Sequence, residues 1–400
     1  MPAPLLLDLS HTSHTHARTG IQRVARSLRA ALGERALPVT HDPHLRTWRT
    51  LQAWETDNLS STAPAAKRGA QWPLAYRLRA RLTRLILPRP AVSPGLSTLN
   101  SAGLLVPELF SPAVGAALPA LFKATRGPRA AVFHDAIALK FPELTPTKTV
   151  ARFPAYLAEL QIFDGIAAVS DDSREALRDY WAWCGVKKTP ALVTIPLGID
   201  THAPTRNGDS PPPPAPSSAG PTVLSVGSIE GRKNHLALLT ACETLWARGA
   251  RFSLHLIGLA QPQTAAAALE KIRALQTAGR PLRYDGPVSE AALEAAYAGC
   301  SFTVYPSLVE GFGLPVLESV AHGRPCICSA RGALGESARD GGCVAFDAVD
   351  APSLAAGIAR LLDSPETLAA LAAEARARTF RTWSDYASDM RQWLATLPHG

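Results

Sequence analysis

The sequence predicts an α/β protein with two doubly wound domains, each formed by a parallel sheet and crossover helices. Short apolar and β-branched runs alternate with helical patterns along both halves of the 400-residue chain, which is typical of parallel sheets. Residues 204–221 are rich in proline and serine and interrupt this alternation, so they predict a linker. In the second half, a glycine-containing turn joins a predicted strand to a predicted helix, where phosphate groups commonly bind.

The first half contains four predicted strands and defines an N-terminal domain of residues 1–203. The strands cover residues 5–9, 130–133, 166–169 and 192–195. Helices are predicted over residues 21–32, where Gly33 follows the last periodic position, and over residues 173–183. The strand–helix alternation indicates that the strands lie parallel in one sheet.

The pattern restarts after the linker and defines a C-terminal domain of residues 222–380. Its predicted strands cover residues 223–226, 252–257, 282–284, 302–305 and 326–328. The last segment, residues 381–400, contains an amphipathic pattern that predicts a C-terminal helix over residues 383–397. Two doubly wound domains place ligands at the carboxyl ends of their strands.

Composition is that of a globular protein, with 46% apolar and 18% charged residues. No run of eighteen apolar residues is present, so no membrane span is predicted. Six cysteines form no zinc-like pairs; Cys326 and Cys328 share one face of a predicted strand as small core residues. Residues 5–9 are too short for a signal-peptide core, and a cytoplasmic location is expected. The net charge of +8 favours anionic partners, but no nucleic-acid-binding motif is present.

The phosphate-binding turn follows the predicted strand at residues 302–305. It contains Gly311, Phe312 and Gly313, and Leu314 begins the next helix. The backbone N–H groups of such a turn and the positive end of a helix can hold phosphate oxygens. Glu310 lies in the loop and Glu318 lies about one helical turn inside the helix. Together these groups can bind a nucleotide-sugar; the alternative is a generic turn with two solvated glutamates.

The segment of residues 306–318 resembles the signature of the retaining glycosyltransferases of family 4, or glycosyltransferase group 1, which have the GT-B fold. The resemblance implies two domains that face each other across a cleft, with the C-terminal helix returning to the N-terminal domain. It implies that Glu318 holds the ribose and that Glu310 contacts the donor sugar. Gly313 and Leu314 would offer backbone amides to the diphosphate. It also implies that neither a metal nor another cofactor is needed. Because Glu310 lies in a loop, its replacement by alanine is expected to leave the fold intact.

A second glycine-containing loop, residues 225–235, follows the first strand of the C-terminal domain. Gly227 lies in this loop, and Arg232 and Lys233 stand where it meets the next helix, placed to neutralise a diphosphate leaving group. The loop resembles the second donor-binding motif of the family, with Lys233 matching its lysine. Ser228 stands where many members have an arginine, and Arg232 is the expected substitute. The alternative is a solvated basic helix start.

In the first half, His134 and Asp135 end a predicted strand. The family resemblance places a histidine here beside the donor sugar. His134 would hydrogen-bond the sugar or the phosphate, and Asp135 would orient it or bind the acceptor hydroxyl. A histidine at a strand end is also often structural.

The first strand leads into a loop with three histidines, His11, His14 and His16. Thr19 and Gly20, before the first helix, resemble the first loop of the family, which lies over the donor phosphate or the acceptor. The histidines also fit a metal site, but no acidic partner supports one. A flexible polar acceptor loop is therefore the favoured interpretation.

Residues 58–107 contain no acidic residue. A helix predicted over residues 74–87 places four leucines on one stripe, flanked by Arg77, Arg81 and Arg84. Such a basic amphipathic helix suits an anionic membrane surface and a peripheral location on the inner face of the cytoplasmic membrane. The alternative is a surface helix whose leucines pack on their own domain.

The sequence predicts a retaining, metal-independent glycosyltransferase that moves a hexose from a nucleotide-sugar to a glycan or lipid-linked acceptor. The motifs most resemble bacterial mannosyl- or rhamnosyltransferases of surface polysaccharide and O-antigen (lipopolysaccharide) assembly, which makes GDP-mannose the favoured donor. The alternatives are a nucleotide-sugar epimerase or another enzyme on the same fold, and a non-catalytic, membrane-associated binding protein.

Overall fold

The structure, a computed structural model, describes residues 3–17, 20–61, 69–86, 89–199, 220–261 and 263–398. The chain divides into two compact units. The first unit comprises Met1–Ala136, Lys148–Gly198 and Trp383–Gly400. The second comprises Ile137–Thr147 and Ile199–Thr382.

The first unit contains a seven-stranded sheet in the order β3-β2-β1-β4-β5-β6-β7. Its strands are β1 (Leu5–Asp8), β2 (Ala36–Asp42), β3 (Thr47–Thr50), β4 (Gly103–Val106), β5 (Arg129–Phe133), β6 (Gly165–Ala168) and β7 (Ala191–Thr194). All neighbouring strands are parallel except β2 and β3, which form an antiparallel pair at the edge. Strands β1, β4 and β6 are buried at every position, as expected for a sheet covered by helices on both faces.

The described helices of the first unit connect these strands. They are α1 (Gly20–Leu32), α2 (Ala53–Ser60), α3 (Leu74–Ile86), α4 (Pro94–Ser97), α5 (Pro112–Ala124), α7 (Thr147–Glu159), α8 (Asp171–Trp183) and α16 (Trp383–Thr396). Helix α16 comes from the C-terminal end of the chain and packs against α1.

The second unit contains a six-stranded, fully parallel sheet in the order β10-β9-β8-β11-β12-β13. Its strands are β8 (Thr222–Val226), β9 (Ser253–Ile257), β10 (Leu282–Asp285), β11 (Phe302–Val304), β12 (Cys326–Ser329) and β13 (Cys343–Phe346). Its helices are α6 (Ile137–Lys140), α9 (His235–Ala247), α10 (Ala266–Thr277), α11 (Glu290–Gly299), α12 (Leu314–Ala321), α13 (Gly332–Ala338), α14 (Ala351–Asp363) and α15 (Pro365–Ala377). The strand order reverses between β8 and β11, which is the topological switch point of a doubly wound sheet.

Four strands are absent from the sequence prediction: β2, β3, β4 and β13. Strand β2 contains Pro38 and the polar residues Thr40, His41 and Asp42, so it lacks an apolar run. Strand β4 begins with Gly103 and has a single β-branched residue. Partners on both sides hold β2 and β4 in the sheet, so tertiary pairing overrides a weak local preference.

The boundaries of the two units differ from the predicted domains 1–203 and 222–380. Ile137–Thr147 groups with the second unit, and the second unit begins at Ile199 and ends at Thr382. Of the predicted linker, residues 204–219 lie outside the described residues. The sequence of residues 137–147 contains no signal that separates this segment from the first domain. The prediction therefore left the segment in the N-terminal domain.

Candidate functional site

Two loops meet at the carboxyl edge of the second sheet, beside its switch point. One loop follows β8 and the other follows β11, and these strands are hydrogen-bonded neighbours. The backbone N–H of Leu308 donates to the carbonyl of Arg232 at 2.9 Å. The hydroxyl oxygen of Ser307 lies 3.2 Å from the same carbonyl oxygen. The sheet order therefore joins two segments that lie far apart in the sequence.

Glu310 is held between two cations. Its Oε2 lies 2.6 Å from Nη1 of Arg232, and its Oε1 lies 2.6 Å from Nζ of Lys233. The exposed fractions of the Glu310 and Lys233 side chains are 10% and 8%, and that of Arg232 is 24%. A solvated basic helix start is therefore the wrong interpretation of Arg232 and Lys233. The two positive charges are largely withdrawn from water and face a carboxylate.

The charges of this cluster decide the protonation state of Glu310. Burial alone would raise the pKa of its carboxyl, but the positive charges of Arg232 and Lys233 outweigh burial and lower the pKa to about 2. Glu310 is therefore ionised at neutral pH. A carboxylate with a fixed negative charge can stabilise positive charge that develops nearby.

Three residues of the cluster escaped the sequence analysis: Tyr305, Ser307 and Glu230. Nζ of Lys233 donates to the hydroxyl of Tyr305 and lies 4.7 Å from the centre of its ring. The hydroxyl of Ser307 donates to Oε1 of Glu310. Oε1 of Glu230 lies 2.9 Å from Nη2 of Arg232. Tyr305 and Ser307 follow a predicted buried strand, and ligands bind at the carboxyl ends of strands in doubly wound sheets. Their position could therefore have identified both residues as site candidates from the sequence.

The turn before α12 depends on Gly313. This residue has φ of 106°, a left-handed conformation that side chains rarely adopt. A Cβ there would lie 3.0 Å from Oγ of Ser337 and 3.2 Å from Cδ2 of Leu334. The hydroxyl of Ser337 also donates to the carbonyl of Phe312 at 2.7 Å. Leu314 then begins α12 as a buried residue, so the turn leads directly into the positive N-terminal end of the helix.

Glu318 lies on α12, one turn after its start. Only 5% of the residue is exposed, and the hydroxyl of Tyr297 donates to its Oε2 at 3.2 Å. Since Glu310 is also largely buried, the alternative of two solvated glutamates is wrong. Buried carboxylates that keep hydrogen-bond partners are typical of structured binding sites.

The other predicted donor-binding residues lie around this cluster. The N–H of Gly227 donates to the carbonyl of Ile257 at 2.9 Å. A Cβ at Gly227 would contact the ring of Tyr305 at 3.6 Å and the side chain of Lys233 at 3.9 Å. Gly311 and Phe312 are half-buried in the loop between Glu310 and α12. The donor-binding candidates of the second unit thus occupy one edge of its sheet.

His134 lies at the end of β5 in the first unit, with 5% of the residue exposed. Its Nε2 lies 2.8 Å from the carbonyl oxygen of Pro107, so Nε2 carries a proton and donates. Burial lowers the pKa of His134, which keeps the ring neutral at pH 7. The neutral ring carries its lone pair on Nδ1. Asp135, the next residue, is half-buried.

The loop after β1 is not the flexible polar segment that its composition predicts, at least over residues 10–17. His14 is buried, with Nδ1 2.7 Å from the carbonyl of Ser10 and Nε2 2.7 Å from Oε1 of Glu55. Its ring also stacks on Trp72 at 3.9 Å. Both ring nitrogens of His14 therefore already have hydrogen-bond partners within the fold. Gly20 begins α1 and is exposed, whereas Thr19 lies outside the described residues.

A second pair of buried carboxylates lies at the switch point of the first sheet. Asp8 ends β1, and Glu108 follows β4, the strand beside it. Glu108 accepts from the backbone N–H of His11 at 2.7 Å and from the backbone N–H and hydroxyl of Thr12. Burial and the charge of Glu108 raise the pKa of Asp8 to about 7. This pair holds the loop after β1 and was not found in the sequence.

Two kinds of feature are absent from the part of the chain that the structure describes. No group of three or more histidine, cysteine or acidic side chains is arranged there to hold a metal ion. No described helix combines the length and the apolar character that crossing a bilayer requires. All six cysteines are free thiols, and Cys326 and Cys328 are fully buried, which confirms their prediction as core residues.

Two doubly wound units, the second with a charged cluster beside a helix N-terminus at its switch point, are the architecture of the GT-B fold. Solved structures support the fold. Anabaena HepE, solved with UDP and glucose, aligns with a TM-score of 0.66 at 13% identity, covering 99% of this chain and 100% of that one. Sucrose-phosphate synthase from Thermosynechococcus elongatus aligns with a TM-score of 0.64 at 18% identity, covering 98% of both chains. The predicted GT-B fold is confirmed.

The second half of the chain is similar to a known family. Residues 210–378 match the model of the family Glycosyl transferases group 1. It is 25% identical over 334 residues to the serotype-specific mannosyltransferase WbdA of Escherichia coli, covering 81% of this chain and 38% of the relative. It is 34% identical over 165 residues to the O-antigen chain mannosyltransferase B of the same species, covering 40% and 42%. The chain thus spans about two fifths of the length of these relatives.

Proposed function

We propose that this protein is a retaining glycosyltransferase that moves a hexose from a nucleotide-diphosphate sugar to a hydroxyl of a glycan or lipid-linked acceptor. Bacterial surface polysaccharide synthesis, including that of O-antigen, is the proposed setting. GDP-mannose is the favoured donor, because the relatives of this chain include two mannosyltransferases of Escherichia coli. The match of residues 210–378 to the family Glycosyl transferases group 1 supports the general reaction.

The observation that carries the proposal is the ion-pair cluster of Glu310, Arg232 and Lys233 beside the N-terminus of α12. Two cations and the N–H groups at the start of a helix form an environment for a diphosphate. Gly313 and Leu314 supply the amides at this end. Glu318, one turn further along α12, is proposed to hold the ribose hydroxyls.

The reaction breaks the bond between C1 of the sugar and the phosphate oxygen, and it forms a bond between C1 and the acceptor oxygen. The proton of the acceptor hydroxyl passes to the leaving phosphate on the same face of the sugar, so the anomeric configuration is retained. Arg232 and Lys233 stabilise the negative charge that develops on the diphosphate. The carboxylate of Glu310 positions the sugar and stabilises the positive charge that develops at C1.

The proposal needs no metal ion, because the two cations and the helix N-terminus supply the positive charge that a divalent ion would offer the diphosphate. It needs no cofactor beyond the donor itself. His134 is proposed to accept a hydrogen bond from a sugar hydroxyl through the lone pair on Nδ1. Asp135, Thr19 and Gly20 are proposed to serve the acceptor or the donor phosphate.

The test is a panel of GDP-, UDP- and dTDP-sugars, measured first by thermal unfolding and then by turnover. A donor that binds the folded state raises the unfolding temperature, and the stabilisation grows with the logarithm of one plus its concentration divided by Kd. GDP-mannose is expected to give the largest rise and to be turned over when a glycan acceptor is added. NMR of the product should show the anomeric configuration of the donor.

The same experiment distinguishes the alternative functions, because each predicts a different result. An epimerase would convert the sugar while it stays attached to the nucleotide, and a binding protein would be stabilised without turnover. Products with inverted configuration would contradict the retaining mechanism. A matched control is Glu366→Gln, because Glu366 is an exposed carboxylate of the second unit and its change should leave every readout unaltered.

A further inference from the structure

Helix α3 exposes a row of large apolar side chains. The exposed fractions are 67% for Leu74, 54% for Leu78, 62% for Leu82, 82% for Leu85 and 76% for Ile86. We call these five residues the leucine stripe. At 100° per residue they occupy one continuous face of the helix. The interpretation in which the leucines pack on their own domain is therefore wrong.

The opposite face of α3 attaches the helix to the first unit. Ala80 is 4% exposed. The hydroxyl of Tyr76 donates to Asp42, and Nη2 of Arg49 donates to that hydroxyl at 3.2 Å. The rings of Tyr76 and Trp72 lie 5.5 Å apart. Because Tyr76 and Ala80 already anchor the helix, the leucine stripe is not needed to hold it in place.

The flank of the stripe is positively charged. Arg77, Arg81 and Arg84 are exposed and lie along one side of it, and Arg79 lies along the other. No acidic residue occurs between residues 58 and 107, so no nearby carboxylate of this segment neutralises them. A helix with an apolar face beside several arginines matches a surface that is apolar inside and anionic outside.

We propose that α3 docks on an anionic phospholipid bilayer, lying in the plane of the interface. The leucine stripe enters the boundary between headgroups and acyl chains, and the arginines contact lipid phosphates. Charge favours this occupant over a second copy of the chain. Two stripes packed face to face would bring the arginines of both helices together without an acidic residue from the segment to separate them.

Docking would also position the loop after β1. The N–H of Gln71, just before α3, donates to the carbonyl of His14 at 2.6 Å, and Trp72 stacks on the ring of His14. The bilayer surface would therefore lie close to this loop, next to which a lipid-linked acceptor can present its hydroxyl. Lipid binding itself does not depend on the proposed transfer reaction, so the two can fail separately.

The experiment is co-sedimentation of the full chain with vesicles of phosphatidylglycerol and phosphatidylcholine, over a range of salt concentrations. Binding is expected to require phosphatidylglycerol and to fall as salt rises. The triple change Arg77→Gln, Arg81→Gln and Arg84→Gln should weaken binding on the order of 100-fold, at roughly fivefold for each basic residue near an anionic surface. The triple change Leu78→Ser, Leu82→Ser and Leu85→Ser should also release the protein.

The matched control is the triple change Arg248→Gln, Arg251→Gln and Arg273→Gln, which removes the same charge from exposed arginines of the second unit and should leave binding unchanged. All three variants should unfold at the temperature of the unmodified protein, since none of the changed side chains is buried. Turnover with a soluble acceptor should be unaltered in the α3 variants.

Binding that ignores salt and both α3 variants would overturn the proposal, as would equal binding to vesicles of phosphatidylcholine alone. Sedimentation velocity tests whether a second copy of the chain, instead of a bilayer, covers the leucine stripe. A dimer that dissociates when the three leucines are replaced, in a protein that does not bind vesicles, would assign the stripe to a second copy of the chain and overturn lipid docking.

Discussion

Glu310 and Lys233 form a salt bridge of 2.6 Å between residues that follow two neighbouring strands of the second sheet. Both side chains are largely withdrawn from water, and Arg232 pairs with the other oxygen of the same carboxylate. Loss of one member of such a buried group leaves an uncompensated charge. The four residues Glu310, Lys233, Arg232 and Tyr305 should therefore affect stability as well as turnover.

Replacement of Glu310 separates these two effects. Glu310→Gln should reduce turnover by about 100-fold or more, the scale on which one electrostatic contact to a transition state contributes. Glu310→Ala should lower the free energy of unfolding by about 3–5 kcal/mol, because it removes the carboxylate that pairs with the buried Lys233 and leaves Arg232 with Glu230. The loop position alone predicts an intact fold for the alanine variant, whereas the ion pairs of Glu310 predict a less stable one. Urea unfolding and turnover measure the two effects; an alanine variant with normal turnover would contradict the donor-site assignment.

Tyr305→Phe tests whether the hydroxyl of Tyr305 positions Lys233. The change removes the hydrogen bond from Lys233 but keeps the ring beneath its ammonium group. A hydrogen bond to a charged group contributes about 1.5–3 kcal/mol, so the free energy of unfolding should fall by that amount. If the hydroxyl acts through Lys233, kcat should fall more than KM rises. A double-mutant cycle with Glu310→Gln should show that the two changes are not additive.

Glu318→Gln should weaken nucleotide binding. Loss of the charged hydrogen bonds to the ribose costs about 1.5–3 kcal/mol, which corresponds to a Kd higher by roughly 10-fold to 150-fold. Titration calorimetry with the preferred nucleoside diphosphate measures the change. The control is Tyr297→Phe, which removes the hydrogen bond from Tyr297 to Glu318 but keeps the carboxylate, and it should alter Kd far less. Equal Kd values for the unmodified protein and Glu318→Gln would rule out ribose binding by this residue.

Asp8 should make stability depend on pH. Its pKa in the folded protein is raised from 3.8 to about 7, chiefly by burial and then by the charge of Glu108. Between these two pH values the folded state binds more protons than the unfolded state, so stability should fall as pH rises from about 4 to about 7. Asp8→Asn should remove this part of the decline and raise the unfolding temperature above pH 7. Asp57→Asn, which changes an exposed carboxyl, should not. A parallel decline in both variants would exclude Asp8 as the cause.

Activity should survive chelation of divalent ions. In the proposed reaction, Arg232, Lys233 and the N-terminus of α12 provide the positive charge for the diphosphate. Turnover in EDTA should therefore match turnover in buffer that contains magnesium. Loss of activity in EDTA that an added metal restores would contradict this prediction. His14 would still be a poor ligand, because both of its ring nitrogens are engaged within the fold.

Local sequence determined the alternation of strands and helices, the turn at Gly313 and the residue types that can bind a diphosphate. These features depend on neighbours within a few positions, so a pattern is enough to predict them. The strands β2 and β4 were not predicted, because their conformation depends on partners from distant parts of the chain. The donor motif was found because its glutamates and glycines lie within a single strand–turn–helix segment.

Only the tertiary structure decided which of these groups act on one another. The order of strands in the second sheet brings Lys233 to Glu310, and no pattern within either loop states that order. The histidines after β1 looked similar in sequence, yet burial against Glu55 and Trp72 gives His14 a structural role. On α3, the sequence pattern of the leucines was compatible with a face that packs on its own domain and with an exposed face. The contacts of Tyr76 with Asp42 and Arg49 decided in favour of the exposed face, because a helix that is anchored on one side turns its other side outward.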